Sequence, residues 1–175
     1  MGHITPAQPV KLVVGMLSAH PSLLAQAAER LAALYGQPDY HSAILPFAFT
    51  DYYLGEMGPG LLRQFIAFAE LVAPADLPQI KRQTNALEAE LAQAGRRRVN
   101  LDPGYLCAGK LVLATTKDQQ HRLYLGQGIY GEVTLLYRQG AWRPWDWTYP
   151  DYRSPEYGQI FAAIRALYLD QLRGP

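Results

Sequence analysis

Apolar and polar positions along the first part of the chain predict a strand, a helix and a second strand. Residues 11–18 form a short, valine-rich apolar run, which is typical of a buried strand. Residues 21–35 carry apolar side chains at helical spacing, with a proline at the first position and a glycine stop after the last. Residues 42–49 alternate like a strand, but Pro46 cannot donate a ladder hydrogen bond, so this strand is expected at an edge or a bulge.

The next part of the chain predicts two helices. Residues 62–72 have apolar side chains at helical spacing and predict a short helix that ends before Pro74. A second apolar stripe predicts a helix over residues 76–95. On that helix Lys81 and Asn85 lie four positions apart and face the same way, beside the stripe that faces the core. A polar group there needs a partner, so Asn85 is a candidate ligand contact.

The second half of the chain predicts strands that are separated by short gaps. Four strand-like runs occupy residues 110–116, 121–126, 129–138 and 141–147. Hairpin-length connections between them predict a four-stranded antiparallel meander. A last helix follows, with Ser154 as its cap. The chain is therefore expected to be an α+β domain, mainly antiparallel sheet with a C-terminal four-stranded meander, covered by about four helices.

Length and composition limit the class of protein. A chain of 175 residues fits one domain spanning residues 1–175. Hydrophobic residues make up 49% and charged residues 18%, which excludes a disordered chain. The apolar run of residues 12–17 is too short to span a bilayer, so no membrane association is expected. The start does not resemble a secretory signal and Cys107 has no internal partner, so a cytoplasmic location is expected.

Positive charge and aromatic residues concentrate in the second half. The balance of charged residues is −3 over residues 1–90 and +4 over residues 91–175. A basic, aromatic-rich half would suit nucleic acid. However, the sequence pI of about 7.9 is well below that of dedicated nucleic-acid-binding domains, and the longest basic run is the three arginines 96–98. Nucleic acid is therefore not an expected partner.

Two motifs approach those of GTP-binding proteins without completing them. Residues 104–111, GYLCAGKL, match a phosphate loop except that Leu111 replaces the hydroxyl residue that would hold magnesium. The residues that follow favour a strand where the motif needs a helix. In TTKD, Asp118 follows Lys117 directly, one position too early for the guanine-reading pattern. We therefore expect a turn at Asp102-Pro103-Gly104 that leads into a strand.

Six segments of the chain are distinctive together: TDYYLGEMG (50–58), IKRQTNALE (80–88), RVNLDPGYL (98–106), KLVLATTK (110–117), HRLYLGQGIYGEVTL (121–135) and WTYPDYR (147–153). They resemble a family of small prokaryotic proteins described as a domain of unknown function, number 4416. The resemblance spans nearly the whole chain. It implies no established activity, although members often carry the label of GTP-binding protein.

One face of the predicted strand 129–138 is polar and carries Glu132 and Thr134. Arg122 and Tyr124 would share that side if the hairpin register permits. One interpretation is a solvated face with a single cross-strand ion pair. The other is a platform for a small anionic ligand, closed by the segments around residues 102–105 and 148–153. Its ligand-binding candidates, besides Asn85, are Lys110, Lys117, Arg122, Tyr124, Thr134, Tyr152 and Arg153.

The candidate catalytic residues are three carboxylates and one histidine. Asp102, Glu132 and Asp151 would hold a magnesium ion, or one of them would act as a general base, if they converge. Asp102 and Asp151 equally suit local turn roles. His121 is either a proton shuttle or an ordinary hairpin residue. The chain lacks the His and Cys spacings of a zinc site.

Two functions follow as hypotheses. The first is binding of a small phosphate-bearing or nucleotide-like ligand on the polar side of the meander, with magnesium-assisted turnover as an extension. The alternative is a non-catalytic interaction module that binds a protein or RNA partner through the aromatic region Trp142 to Arg153. A homodimer would use the same surface.

Overall fold

The computed structural model describes residues 2–174, and within them nine strands form one antiparallel sheet. The strands are β1 (Val10–Ser18), β2 (Pro38–His41), β3 (Leu45–Pro46), β4 (Leu62–Val72), β5 (Asn100–Leu106), β6 (Lys110–Thr115), β7 (Leu123–Gly126), β8 (Ile129–Arg138) and β9 (Ala141–Pro144). Their order is β2-β4-β1-β5-β6-β8-β7, with β3 beside β4 and β9 beside β8.

Residues 2–174 include four α-helices: α1 (Pro21–Tyr35), α2 (Leu54–Met57), α3 (Leu77–Glu90) and α4 (Pro155–Arg173). The three longer helices, α1, α3 and α4, cover the sheet. Helices α1 and α3 pack on one face, against the side chains of Leu12 and Val14 of β1. Helix α4 packs on the other face, against Val13 of β1 and Phe65 of β4. All nine residues of β1 are buried because both faces of this central strand are covered. The α+β class and the antiparallel sheet are confirmed.

The helix ends follow the sequence signals. Pro21 opens α1, and the Ser154 side chain accepts a hydrogen bond from the Tyr157 N–H at 3.3 Å to cap α4. Among the helices of residues 2–174, none combines the length and the apolar character that crossing a membrane requires.

The predicted helix over residues 62–72 is wrong, because this segment is strand β4. It pairs with β1 on one side and with β2 and β3 on the other. Residues Phe65 to Phe68 are buried in succession because β4 is covered on both faces. Burial on both faces removes the alternation that marks a strand, and the remaining spacing resembled a helix.

The predicted strand over residues 42–49 is much shorter than expected. Two of its residues form β3, where Leu45 pairs with Arg63 and Pro46 with Leu62. β3 lies beside β4 at the border of the sheet, where a proline is tolerated.

The four C-terminal strands are present, but their order is not that of a simple meander. β6 pairs with β8, and β7 and β9 both pair with the opposite edge of β8, at its two ends. β6 ends at Thr115 and β7 begins at Leu123, so their connection is longer than a hairpin turn. This longer connection allows the chain to cross β8, so that β7 pairs with the far edge of β8.

The predicted turn at residues 102–104 is also wrong. These residues lie inside β5, where Asp102 pairs with Gly15 of β1 and Pro103 pairs with Val14. A proline is tolerated in this central strand because, at Pro103, β5 pairs with β1 while the β6 ladder begins one residue later, at Gly104.

Candidate functional site

A cavity of about 560 Å³ opens where β5 and β6 separate. The two strands pair from Leu106 with Leu111 to Gly104 with Leu113. Beyond that point Asn100 and Asp102 of β5 line the cavity on one side, and residues 113–117 line it on the other. The volume is within the range of cavities that bind small molecules.

The sequence of β5 explains why the strands part. Leu101 donates its N–H to Glu88 Oε1 (2.6 Å), and its carbonyl accepts from Lys81 Nζ (2.8 Å), both on α3. Backbone groups alternate sides along a strand, so Pro103 faces the same direction as Leu101 but has no N–H for β6. Side chains of α3 therefore replace the strand partner.

The segment that resembles a phosphate loop is a β-hairpin. Gly104 lies in β5, Lys110 begins β6, and the loop between these two strands joins them. A Cβ atom at Gly104 would lie 2.3 Å from the carbonyl oxygen of Val112. This glycine is therefore required by the close approach of two strands.

The inner wall of the cavity holds one arginine between two aspartates. Arg63 of β4 is 2% exposed, and its Nη1 lies 3.1 Å from Asp102 Oδ2. Its Nη2 lies 3.5 Å from Oδ2 of Asp151, which follows β9 in a single 3₁₀ turn. The guanidinium also lies 5.1 Å from the Phe47 ring centroid. A buried arginine needs such partners, because an unpaired charge in the interior is costly.

The two aspartates on Arg63 have opposite pKa shifts. Burial alone would raise the pKa of Asp102, but Arg63, Lys81 and a hydrogen bond from Asn100 outweigh it and hold the pKa below the ordinary 3.8. Burial raises the pKa of Asp151, and the attraction of Arg63 does not cancel this effect. Such a difference between neighbouring carboxyls is common where one must stay ionised and the other exchanges a proton.

A chain of hydrogen bonds continues from this wall to the protein surface. Asn100 Nδ2 donates to Asp102 Oδ2 (2.7 Å), and Arg97 Nη1 donates to Asn100 Oδ1 (2.7 Å). Arg97 Nη2 then donates to Oε2 of Glu56 in α2 (2.7 Å). The cavity is thus connected to an exposed carboxylate by a continuous polar network.

Lys81 of α3 brings a buried ammonium group to the cavity. Its side chain is 7% exposed, and its hydrogen bond goes to the Leu101 carbonyl. Within residues 2–174, no carboxylate oxygen lies within 4.0 Å of this nitrogen. An ammonium group has three N–H donors, so Lys81 retains donors for another acceptor.

Exposed aromatic residues and two further cations form the mouth of the cavity. Lys117 donates to the Tyr52 hydroxyl (2.8 Å) and lies 4.4 Å from that ring's centroid. Arg122 Nη2 donates to the Tyr149 hydroxyl (2.9 Å). Phe49 also lines the cavity and is 42% exposed. The mouth therefore offers flat apolar surface beside positive charge.

Arg122 lies in the connection before β7 and pairs with Glu132 of β8, with Arg122 Nε 2.9 Å from Glu132 Oε2. The face around it is not solvated, because Glu132 and Thr134 are buried at 3% and 0% exposure. His121 Nε2 lies 3.1 Å from the same carboxylate oxygen. Thr148 Oγ1 covers this region by donating to the Thr134 carbonyl (2.6 Å).

Seven residues that the sequence analysis named as site candidates line the cavity: Asn85, Asp102, Lys117, Arg122, Glu132, Asp151 and Tyr152. They come from α3, β5, β8 and two connecting segments, so the fold alone brings them together.

The other five candidates lie outside the lining. Lys110 is exposed at the start of β6, and Tyr124 is 63% exposed on the edge strand β7. Thr134 is buried and its hydroxyl contacts the Glu132 carboxylate. His121 contacts the same carboxylate but does not line the cavity. Arg153 does not line the cavity, and its guanidinium donates to the carbonyls of residues 145, 146 and 148.

The three carboxylates proposed for magnesium do not form a metal site together. Across residues 2–174, no group of three His, Cys, Asp or Glu side chains is placed to hold a metal ion. Asp102 and Asp151 share Arg63, whereas Glu132 pairs with Arg122. Each carboxylate thus has a cationic partner where a metal ion would have to bind.

Several cavity residues were not among the candidates drawn from the sequence, namely Arg63, Lys81, Glu88, Arg97 and Asn100. Arg63 lies in the segment 62–72 that was predicted as a helix and is strand β4. The sequence signal for Arg63 was a charged residue inside the apolar run LLRQFIAF. A charged residue in a buried segment requires a partner of opposite charge.

Comparison with known proteins gives one match. The family model described as Domain of unknown function (DUF4416) matches residues 8–168. The comparisons with curated proteins and with solved structures found no match. Since the family model covers most of the chain, the chain belongs to this family, DUF4416.

Proposed function

We propose that the cavity between β5 and β6 binds a small phosphate-bearing ligand, either a nucleotide or a sugar phosphate. The observation that carries the proposal is Lys81, a buried ammonium at the cavity wall with a single carbonyl partner. Lys81 attracts the carboxylates of Asp102 and Glu88, but within residues 2–174 neither lies within 4.0 Å of its ammonium, and an anion in the cavity would give this group a direct charged partner. Phosphate oxygens are suitable acceptors for this group.

The other lining groups support the same class of ligand. Lys117 at the mouth would supply a second cation to the phosphate. Tyr52 and Phe49 would pack against a base or the apolar face of a sugar. Asn85 and the carboxylate of Glu88 would bind hydroxyl or amino groups of the ligand.

Turnover of the ligand is the further part of the proposal. Asp151, whose pKa is raised by burial, would exchange a proton with the ligand, while Asp102 stays ionised beside Arg63. Magnesium would enter with the phosphate group, because the protein's own carboxylates have cationic partners.

The alternative function is an interaction module, favoured by a different surface. Trp145 and Trp147 are stacked with 5.1 Å between ring centroids and are 38% and 37% exposed. Arg153 holds the turn that carries them through three carbonyl bonds. Exposed stacked indoles would suit a protein or RNA partner, or a second copy of the chain.

A thermal-stability screen separates these functions. We expect at least one nucleotide or sugar phosphate to raise the melting temperature, tested with and without magnesium chloride. Lys117→Met, at an exposed position, should reduce that rise, while Trp145→Ala should leave it unchanged. If none of the compounds raises the melting temperature, the ligand proposal is wrong and the interaction module is favoured.

A further inference from the structure

A second, smaller groove of about 280 Å³ adjoins the cavity. Its lining includes three consecutive arginines, Arg96, Arg97 and Arg98, together with His20 and a single carboxylate, Glu56. Three guanidinium groups against one carboxylate give the groove a positive charge, and the uneven balance distinguishes it from the paired interior of the main cavity.

A tight turn holds the first arginine at this groove. Gln93 and Arg96 exchange two backbone hydrogen bonds of 3.0 Å. Between them Ala94 and Gly95 have φ angles of +50° and +71°, which is the left-handed pair of a type I′ turn. The chain direction reverses there, and the arginines follow directly.

The three arginines differ in their partners. Arg97 is committed to Glu56 and Asn100, each at 2.7 Å. For Arg96 and Arg98, the described part of the chain offers no carboxylate within 4.0 Å of either guanidinium. These two groups are therefore free to bind an external anion, and a guanidinium binds a phosphate through two parallel hydrogen bonds.

Arg97 lies at the border of the two spaces. It lines both the cavity and the groove, and its network runs through Asn100 to Asp102. A ligand that extends past the Arg97 side chain would therefore reach from the cavity into the groove.

We infer that the groove is a second anion subsite and that the ligand carries two phosphate groups, one in the cavity near Lys81 and one in the groove at Arg96 and Arg98. This inference rests on the proposed function, because it takes the first phosphate position from it. It assigns the ligand to the class of bisphosphates, and it gives the exposed arginines the role of selecting the second phosphate.

Matched pairs of compounds test the inference by calorimetry on the full chain. The pairs are glucose 6-phosphate with glucose 1,6-bisphosphate, and adenosine 5′-phosphate with adenosine 3′,5′-bisphosphate. In at least one pair the second phosphate should tighten binding by about tenfold or more, as expected for added charge-assisted hydrogen bonds. The double variant R96Q/R98Q should lose that gain and keep the affinity for the monophosphate. Arg143→Gln, an exposed arginine on β9, is the matched control and should change neither affinity.

The outcomes distinguish a failure of the bisphosphate inference from a failure of the proposed function on which it rests. If monophosphates bind but the second phosphate adds nothing in either pair, the inference is wrong while the proposed function stands. If R96Q/R98Q weakens both members of a pair equally, the arginines do not select the second phosphate and the inference is again wrong. If neither member of either pair binds to the wild-type protein, both the inference and the phosphate position on which it rests are overturned.

Discussion

The guanidinium of Arg63 on β4 reaches the carboxylate of Asp102 on β5 across the strand between them, with 3.1 Å between Nη1 and Oδ2. The residue beneath this contact is Gly15 of β1, which pairs with Phe65 on one side and Asp102 on the other. A Cβ atom at Gly15 would lie 3.0 Å from the Phe65 ring and 3.2 Å from Arg63 Nη1. The path of Arg63 therefore depends on the missing side chain at Gly15.

Gly15→Ala should destabilise the protein by about 1–3 kcal/mol, because the new methyl group must displace the Phe65 ring or the Arg63 guanidinium. Urea denaturation followed by circular dichroism measures the change. Gly158→Ala in α4 is the control, since the added methyl meets open space, and a helical alanine should add up to about 1 kcal/mol. Equal stability of Gly15→Ala and the wild type would show that Arg63 does not need this path.

Replacing Arg63 tests the buried ion pair itself. Arg63→Leu should cost about 3–5 kcal/mol, because it leaves Asp102 and Asp151 without their shared cation. Adding Asp102→Asn should restore part of this loss, since one uncompensated carboxylate is removed. A double-mutant cycle in urea should give a coupling energy of about 0.5–3 kcal/mol. Strict additivity of the two substitutions would contradict the pairing.

The opposite pKa shifts of the two aspartates predict opposite effects of pH on stability. The pKa of Asp102 is lowered below 3.8, so its contribution is present above that pH and is lost as the pH falls through the folded-state pKa. The pKa of Asp151 is raised above 3.8, so the folded state binds that proton more tightly, and its contribution declines as the pH rises through the raised pKa.

Urea denaturation over a range of pH separates the two effects. Asp102→Asn should reduce the loss of stability on the acid side of pH 3.8, and Asp151→Asn should remove the decline above it. Curves for the two variants that run parallel to that of the wild type would show that neither carboxyl is shifted.

The sequence was informative for elements with one buried face, but of β1 and β4, which are both covered on two faces, it predicted the valine-rich β1 and missed β4. The periodicity of α1 and α4 was clear, and these helices are confirmed. β4 is covered on both faces and paired on both edges, so its apolar run was mistaken for a helix. Residues 102–104 were interpreted as a turn because Asp, Pro and Gly favour turns. In β5 the missing N–H of Pro103 is tolerated because β6 departs before this residue, which is a tertiary feature.

For the site, residue types could be identified from the sequence, but their convergence in space could not. Asp102 and Asp151 were identified by their residue type, but their convergence depends on Arg63, which joins strands and a turn distant in sequence. Lys81 was placed on the correct helix, yet its position at the cavity follows from the gap between β5 and β6. Contacts between residues so far apart in the chain are set by strand order, which a single sequence does not specify.

Lys81 is the residue on which the ligand proposal depends most. Lys81→Met removes the ammonium while keeping an unbranched side chain, and Lys81→Arg keeps the charge. Lys110→Met is the matched control, because Lys110 is an exposed lysine on β6 outside the cavity. The melting temperature of each variant first shows that it is folded.

The direct measurement is calorimetric titration of the four proteins with whichever phosphate compound most raises the wild-type melting temperature. We predict that Lys81→Met weakens binding by about tenfold or more, that Lys81→Arg retains part of it, and that Lys110→Met binds like the wild type. Equal affinity of Lys81→Met and the wild type would contradict the central claim that this buried ammonium binds the phosphate of a ligand.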